Sequence, residues 1–109
     1  GNTTLVIERN TGFTVNSGEA YALNSNVLEV SGATAADISF TIQQAPQNGW
    51  FIRGASVLQA GESFTQEDVD VMNVVYINNG NGTNDKITVT TKDKAGASLP
   101  AFDINITVQ

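Results

Sequence analysis

Alternation of apolar and polar side chains over several short segments is the feature that most restricts the folds open to this chain of 109 residues. Residues 37–44 alternate cleanly, and their apolar set is Ile38, Phe40 and Ile42. Residues 101–109 repeat the pattern with Phe102, Ile104, Ile106 and Val108. Because successive side chains of a strand point to opposite faces, both segments are predicted to be strands buried on one face.

Turn residues divide the chain into roughly seven to nine such segments, which favours an antiparallel β-sandwich or barrel. The length fits a single domain. Pro46 and the pair Asn48-Gly49 interrupt the pattern after residue 44. Since Asn-Gly readily adopts the positive φ of a tight turn, the pair predicts a β-hairpin in which residues 50–53 form the returning strand.

The segment GESFTQEDVD at residues 61–70 breaks the alternation and packs three acids into four positions: Glu67, Asp68 and Asp70. Such a cluster could hold a metal ion, supply catalytic carboxylates or begin a helix. Thr65 and Asp68 have the spacing of a capping box, and acids suit the positive end of a helix dipole. A calcium loop would instead need acids alternating over about 12 residues. We therefore predict one helical turn near residues 65–72, with Val69 and Met72, three residues apart, both able to face the core.

Composition excludes several classes of function. The net charge of −6 disfavours binding to nucleic acid and to anionic membrane surfaces. The chain has no Cys and no His, so disulfides, thiolate zinc sites, His-based acid–base catalysis and a Ser-His-Asp triad are all excluded. An enzyme would need facing carboxylates in a cleft, and the short loops predict no such cleft. We therefore expect no catalytic residues and no cofactor.

The ends of the chain suggest its context. No apolar run approaches the roughly 20 residues that a membrane helix needs. The chain begins at Gly1 rather than Met. We expect residues 1–109 to form one module excised from a longer, secreted protein.

Four residues are candidate ligand contacts. Trp50 is the only Trp, and its side chain and that of Phe51 must point to opposite faces of a strand. Burial statistics favour a core position for Trp50, whereas an exposed Trp50 could stack on a sugar ring. Tyr21 could act in the same way. Asn79 and Asn81, in the loop NNGNGTND, could contact a ligand through their amides or simply belong to an exposed connection.

Several motifs occur along the chain in a definite order. A strand and turn come first, carried by Ile38, Phe40, Ile42, Pro46 and Gly49. The most specific segment, of the type F-T-Q-x-D-x-D, follows: Leu58, Gly61, Phe64, Thr65, Gln66, Asp68, Val69 and Asp70. The last strands and turns carry Tyr76, Asn78, Gly80, Asp85, Ile87, Val89, Thr91, Asp93 and Gly96. Together these motifs resemble the chondroitin-sulfate-proteoglycan-type, cadherin-like repeat over roughly residues 13–108.

This resemblance implies an immunoglobulin-like, antiparallel β-sandwich that is normally one of a tandem string. Such repeats occur in bacterial surface proteins, large adhesins and animal extracellular matrix proteins. It therefore implies a non-catalytic structural or adhesion module at the cell surface, whose partners are neighbouring repeats and a cell-surface protein or polysaccharide. The alternative is a carbohydrate-binding module that uses Trp50 or Tyr21 and the Asn-rich loop.

The resemblance also raises the question of calcium. Cadherin-like modules that bind calcium place acids at one pole, and the candidates here are Glu19, Asp37 and Asp93. Ser17 stands where the family has an acid, and residues 31–36 lack the expected acidic pair. Because Ca²⁺ takes about 6–8 oxygen ligands, we expect a weak site at most. The alternative role of Asp37 and Asp93 is to close Asx-turns.

Overall fold

A computed structural model describes residues 4–109. The chain forms eleven strands, which in order are β1 (Val6–Asn10), β2 (Phe13–Val15), β3 (Ala20–Ala22), β4 (Leu28–Ser31), β5 (Ser39–Gln44), β6 (Gly49–Arg53), β7 (Ser56–Leu58), β8 (Ser63–Thr65), β9 (Val74–Asn78), β10 (Asp85–Lys92) and β11 (Ser98–Val108). A 3₁₀ turn (Ala35–Asp37) precedes β5, and helix α1 (Gln66–Asp70) follows β8.

Two main sheets face each other. The five-stranded sheet has the order β2-β11-β10-β5-β8, and the four-stranded sheet has the order β3-β9-β6-β7. Strands β1 and β4 pair separately. Pairing among residues 4–109 is antiparallel except between β2 and β11, which run parallel from Phe13 opposite Ile106 to Val15 opposite Val108. The predicted all-β sandwich is confirmed, with this one parallel pair added.

The core between the sheets contains the side chains that the alternation predicts. Ile38, Phe40 and Ile42 are almost completely buried, as are Ile104 and Ile106. The four-stranded sheet contributes Phe51, Leu58, Val74 and Tyr76 from the opposite side. Period-two burial therefore organises both layers.

The structure has eleven strands, more than the predicted seven to nine, and several of them have only three residues. Residues 12–23 divide into β2, in the five-stranded sheet, and β3, in the four-stranded sheet. The turn between them includes Gly18, at φ +80°. All four edge strands of the main sheets, β2, β8, β3 and β7, have only three residues. Short edges of this kind limit edge-to-edge aggregation.

The predicted hairpin at Asn48-Gly49 is wrong. Strand β5 belongs to the five-stranded sheet and β6 to the four-stranded sheet, so residues 45–48 cross between the layers. Gly49 does not supply a positive φ. A Cβ at this position would lie 2.3 Å from the Ile77 carbonyl oxygen and 2.7 Å from the Tyr76 ring. Gly49 is therefore required for close approach of two strands.

Helix α1 begins as predicted. The Thr65 hydroxyl accepts a hydrogen bond from the Asp68 N–H, and the Asp68 carboxylate accepts one from the Thr65 N–H, both at 3.0 Å. The helix ends in a Schellman pattern, with the Met72 N–H donating to Val69 and the Asn73 N–H donating to Asp68. Met72 takes the left-handed conformation (φ +58°) that this ending requires and is 53% exposed. Its predicted core position is wrong, because the helix stops at Asp70.

The two ends of the molecule are distinct, and the principal dimensions are 47 × 24 × 23 Å. The first pole contains the start of β1, the 3₁₀ turn, helix α1 and residues 93–97. The second pole contains residues 16–19, residues 45–48, residues 79–84 and Gln109. The described chain thus starts at the first pole and finishes at the second.

Candidate functional site

The acids of residues 67–70 belong to the helix start. Asp68 is committed to the capping box with Thr65. Asp70 accepts a hydrogen bond from the Gln66 side chain at 3.0 Å, and Glu67 points to solvent. Two of the three carboxylates therefore have local structural partners, and the cluster needs neither a metal nor a substrate to explain it.

Gln66 has a role that the sequence did not reveal. Its side chain is 2% exposed. Oε1 accepts a hydrogen bond from the Val30 N–H at 2.9 Å, and Nε2 donates to the Leu28 carbonyl at 3.1 Å. The amide thus pairs with the backbone of β4 as a strand would, and it anchors helix α1 to that strand.

The structure separates the three calcium candidates. Asp37 pairs with Lys94 at 3.2 Å, and Asp93 accepts hydrogen bonds from the Ala95 and Ala97 N–H groups at 2.9 and 2.8 Å. Asp37 and Asp93 line one shallow depression of about 290 Å³ at the first pole. Glu19 lies at the second pole.

The contacts of Asp93 are those of an Asx-turn. Within residues 4–109, no three acidic side chains converge in a way that could hold a metal ion. The expectation of a weak calcium site at most, with Glu19, Asp37 and Asp93 as its candidates, stays a prediction.

A hydrogen-bond network fixes the loops of the second pole. The buried Asn78 side chain accepts from the Gly18 and Gly80 N–H groups, both at 2.9 Å, and its Nδ2 donates to the Tyr76 hydroxyl at 3.1 Å. Tyr76 donates to Asp85 at 2.8 Å. Burial raises the pKa of Tyr76 to about 12; the bond from Asn78 acts in the opposite direction, and the bond to Asp85 adds to the rise.

The two asparagines of the Asn-rich loop differ in their surroundings. Asn81 donates from its side chain to the Asn48 side-chain oxygen at 2.7 Å and accepts from the Thr83 N–H at 2.9 Å. Its amide is engaged in holding the loop. Asn79 accepts from the Asn81 N–H at 3.0 Å and lines the depression beside Trp50. Of the two, Asn79 is the one placed near the exposed aromatic ring.

The two aromatic candidates lie on opposite faces of the four-stranded sheet. Tyr21 stacks on Phe13, with ring centroids 4.4 Å apart, and packs against the core. Trp50 is 49% exposed, whereas its neighbour Phe51 is fully buried. The Trp50 side chain is therefore exposed, which was one of the two alternatives. The core position that burial statistics favour is wrong. Trp50 and Tyr21 cannot contact one ligand together.

Trp50 belongs to a larger apolar surface, which we call the outer sheet face. Two cross-strand rows form it: Ala22, Val75, Ile52 and Val57 in one row, and Ala20, Ile77 and Trp50 in the other. These side chains point away from the buried Phe51, Val74 and Tyr76 by the alternation of each strand. All seven are apolar, although a sheet face in water is usually polar.

An open groove of about 600 Å³ lies where the outer sheet face meets the second pole. Its apolar lining includes Trp50 and Val57, and Gln47, Gln59 and Asn79 supply amide groups. No charged side chain of the described residues lines it. The groove can therefore bind by ring stacking and neutral hydrogen bonds, but it offers no acid, base or nucleophile for chemistry.

One sequence pattern could have predicted this apolar surface, although it is not an alternating pattern. Residues 74–77 are all apolar, a pattern typical of strands covered on both faces. Strand β9 has the core on one side and the outer sheet face on the other. No helix within residues 4–109 has the length and hydropathy needed to cross a membrane.

Comparison with known proteins gives consistent results. The sequence profile of the cadherin-like family matches residues 6–108. The chain is similar to the human FRAS1-related extracellular matrix protein 2, at 36% identity over 73 residues, covering 65% of this chain and 2% of that protein. It is also similar to the human FRAS1-related extracellular matrix protein 1, at 33% identity over 78 residues, covering 69% of this chain and 4% of that protein. The chain thus spans a very small part of either relative.

Proposed function

This chain belongs to the cadherin-like family, and on that basis we propose that it is a non-catalytic repeat that acts as a spacer in a larger extracellular structural or adhesion protein. The domain is extracellular, in keeping with its family and with two relatives that are named as matrix proteins. The groove beside Trp50, which lacks titratable side chains, supports a role without catalysis.

The placement of the two poles carries this proposal. The described chain starts at one pole and finishes at the other, and the longest dimension of the molecule is 47 Å. Copies or relatives of such a domain can follow one another end to end without a long connection. Neighbouring repeats of the same protein are therefore the first partners that we propose, and residues 1–109 would form one such repeat.

We also assign the repeat to the chondroitin-sulfate-proteoglycan type within the family. The F-T-Q-x-D segment supports this assignment because each of its residues has a defined task. Phe64 fills the core beside Phe40, Thr65 and Asp68 cap helix α1, and Gln66 anchors that helix to β4. Four residues of this segment thus fill three structural roles that depend on one another, and this supports the assignment.

Unfolding of a single repeat and of a two-copy tandem protein tests the spacer function. If poles of adjacent repeats contact each other, we expect the tandem protein to unfold at a higher urea concentration than the single repeat. A second tandem protein with a long Gly-Ser segment between the copies is the control, and it should unfold like the single repeat. Equal midpoints for all three proteins would contradict the proposed contact between repeats.

The exposure of Trp50 favours a second function, carbohydrate binding. An aromatic ring beside amide side chains is a suitable surface for a sugar ring. The outer sheet face lies along the side of the molecule, and its groove extends to the second pole through Gln47 and Asn79. The first pole therefore stays available to a neighbouring repeat, and a repeat at the second pole would border the groove.

A further inference from the structure

We propose that the outer sheet face and its groove bind an extended, uncharged glycan of β-1,4-linked hexose or pentose units, with one ring stacked on Trp50. The inference rests on the second function proposed above and names its ligand class. Three observations carry it: the size of the surface, its lack of charge and the spacing of its rows.

Size argues against a protein as the occupant. Four strands about 4.8 Å apart give a face roughly 19 Å wide, and two rows of side chains lie about 7 Å apart along the strands. The area that the two rows span is thus on the order of 130 Å². This is well below the apolar part, somewhat more than half, of the roughly 800 Å² that each partner of a stable protein interface buries. A second copy of this chain would also carry the same charge of −6. A chain of sugar rings needs far less area.

Charge argues against sulfated or uronic-acid glycans. An anionic glycan requires basic side chains at its binding surface. None lines the groove. Four of the five basic residues are engaged elsewhere, since Arg9, Lys86 and Lys94 pair with Glu29, Asp103 and Asp37, and Arg53 donates to the Ser63 carbonyl.

The spacing of the rows suits a linear glycan. The row that ends at Trp50 presents one side chain from each of three neighbouring strands, Ala20, Ile77 and Trp50. Its intervals of about 4.8 Å are close to the length of one β-1,4-linked sugar unit. In glucose and xylose units both of the bonds that join neighbouring units are equatorial, so such a glycan is an extended chain with apolar C–H faces and hydroxyl groups at its edges. The glycan can lie on the row that ends at Trp50, where the amides of Gln47, Gln59 and Asn79 can bond its hydroxyls.

Because Trp50 is the only Trp, intrinsic fluorescence reports directly on the site. Titration with cellohexaose or xylohexaose should shift the Trp50 emission in a saturable way that is insensitive to salt. By calorimetry, Trp50→Ala should lower the affinity at least about tenfold, whereas Trp50→Phe should stay within about threefold. Met72→Ala is the matched control, because Met72 is exposed to a similar extent at the first pole, and it should leave the affinity unchanged.

Three results would overturn the inference. A response to a chondroitin sulfate hexasaccharide but not to the neutral oligosaccharides would overturn the uncharged class and leave carbohydrate binding standing. No response to either kind would overturn carbohydrate binding as well. Concentration-dependent dimerisation in sedimentation, abolished by Trp50→Ala and without any glycan response, would assign the face to a second copy. The spacer function is tested separately, by the tandem protein.

Discussion

Replacement of Gln66 by Leu tests how helix α1 is held to the sandwich. The Gln66 amide makes one bond to the Val30 N–H and one to the Leu28 carbonyl, at 2.9 and 3.1 Å. Leu has nearly the same volume and cannot make either bond. Val30 and Leu28 are 2% and 0% exposed, so the backbone groups that lose their partner have little access to water.

The expected loss of stability follows from the Val30 N–H and the Leu28 carbonyl, which both lose their hydrogen-bond partner. A buried donor or acceptor left without a partner costs about 1–3 kcal/mol, so two such groups cost roughly 2–6 kcal/mol. The greater hydrophobicity of Leu offsets a small part, and we expect a loss of about 3 kcal/mol in the free energy of unfolding. A domain of this size has a total of about 5–15 kcal/mol, so the variant should still fold but with a much reduced margin.

Urea unfolding followed by circular dichroism measures the effect. With a slope of about 1.5 kcal/mol/M, the midpoint should fall by about 2 M. Gln43→Leu is the matched control, because Gln43 is exposed on β5, and its stability should change by less than about 0.5 kcal/mol. A loss below about 1 kcal/mol for Gln66→Leu would refute the view that this side chain serves as a strand partner for β4.

Three further predictions concern backbone fit and pH. Gly49→Ala should lower the free energy of unfolding by roughly 2–3 kcal/mol in urea, since its Cβ would overlap the Ile77 carbonyl oxygen; unchanged stability would contradict the close approach of the two strands. Met72→Gly should raise the free energy of unfolding by about 1 kcal/mol, because Gly adopts φ +58° without strain. A lower free energy of unfolding would show that the Met side chain stabilises the turn. Because the Tyr76 pKa rises from 10.0 to about 12, the neutral phenol favours the folded state, so stability present below pH 10 should be lost between pH 10 and 12. Urea midpoints measured across this range should fall less in Tyr76→Phe, and an equal fall in both proteins would refute the assignment.

Local patterns predicted the parts of the fold that local forces decide. The alternation at residues 38–42 placed the right side chains in the core, because strand geometry alone determines which face each one meets. The capping box was predictable for the same reason, since Thr65 and Asp68 are three residues apart and satisfy each other's backbone groups.

Features that depend on distant partners were not predictable. Asn48-Gly49 has the composition of a hairpin turn, yet the fold uses Gly49 for its lack of a Cβ against Ile77. Alternation shows that Trp50 and Phe51 face opposite ways, but only the second sheet decides which of them is buried. The hydrogen-bond partners of Gln66 lie 38 and 36 residues earlier in the chain, so no short-range sequence pattern predicts them.

The same distinction applies to the candidate site. Trp50 and Asn79 were singled out by residue type, and the fold places both at one groove. Tyr21 was chosen on the same grounds but packs on Phe13 inside the sandwich. The outer sheet face as a whole was missed because its members come from four strands, and only the register of the sheet brings them into two rows.

Small-angle X-ray scattering of a two-copy tandem protein, compared with the single repeat, tests the central claim most directly. If the domain is a spacer that the chain crosses from pole to pole, the longest dimension of the tandem protein should approach twice the 47 Å length of one repeat. A longest dimension close to that of a single repeat, which side-by-side packing of the two copies would produce, would contradict the account.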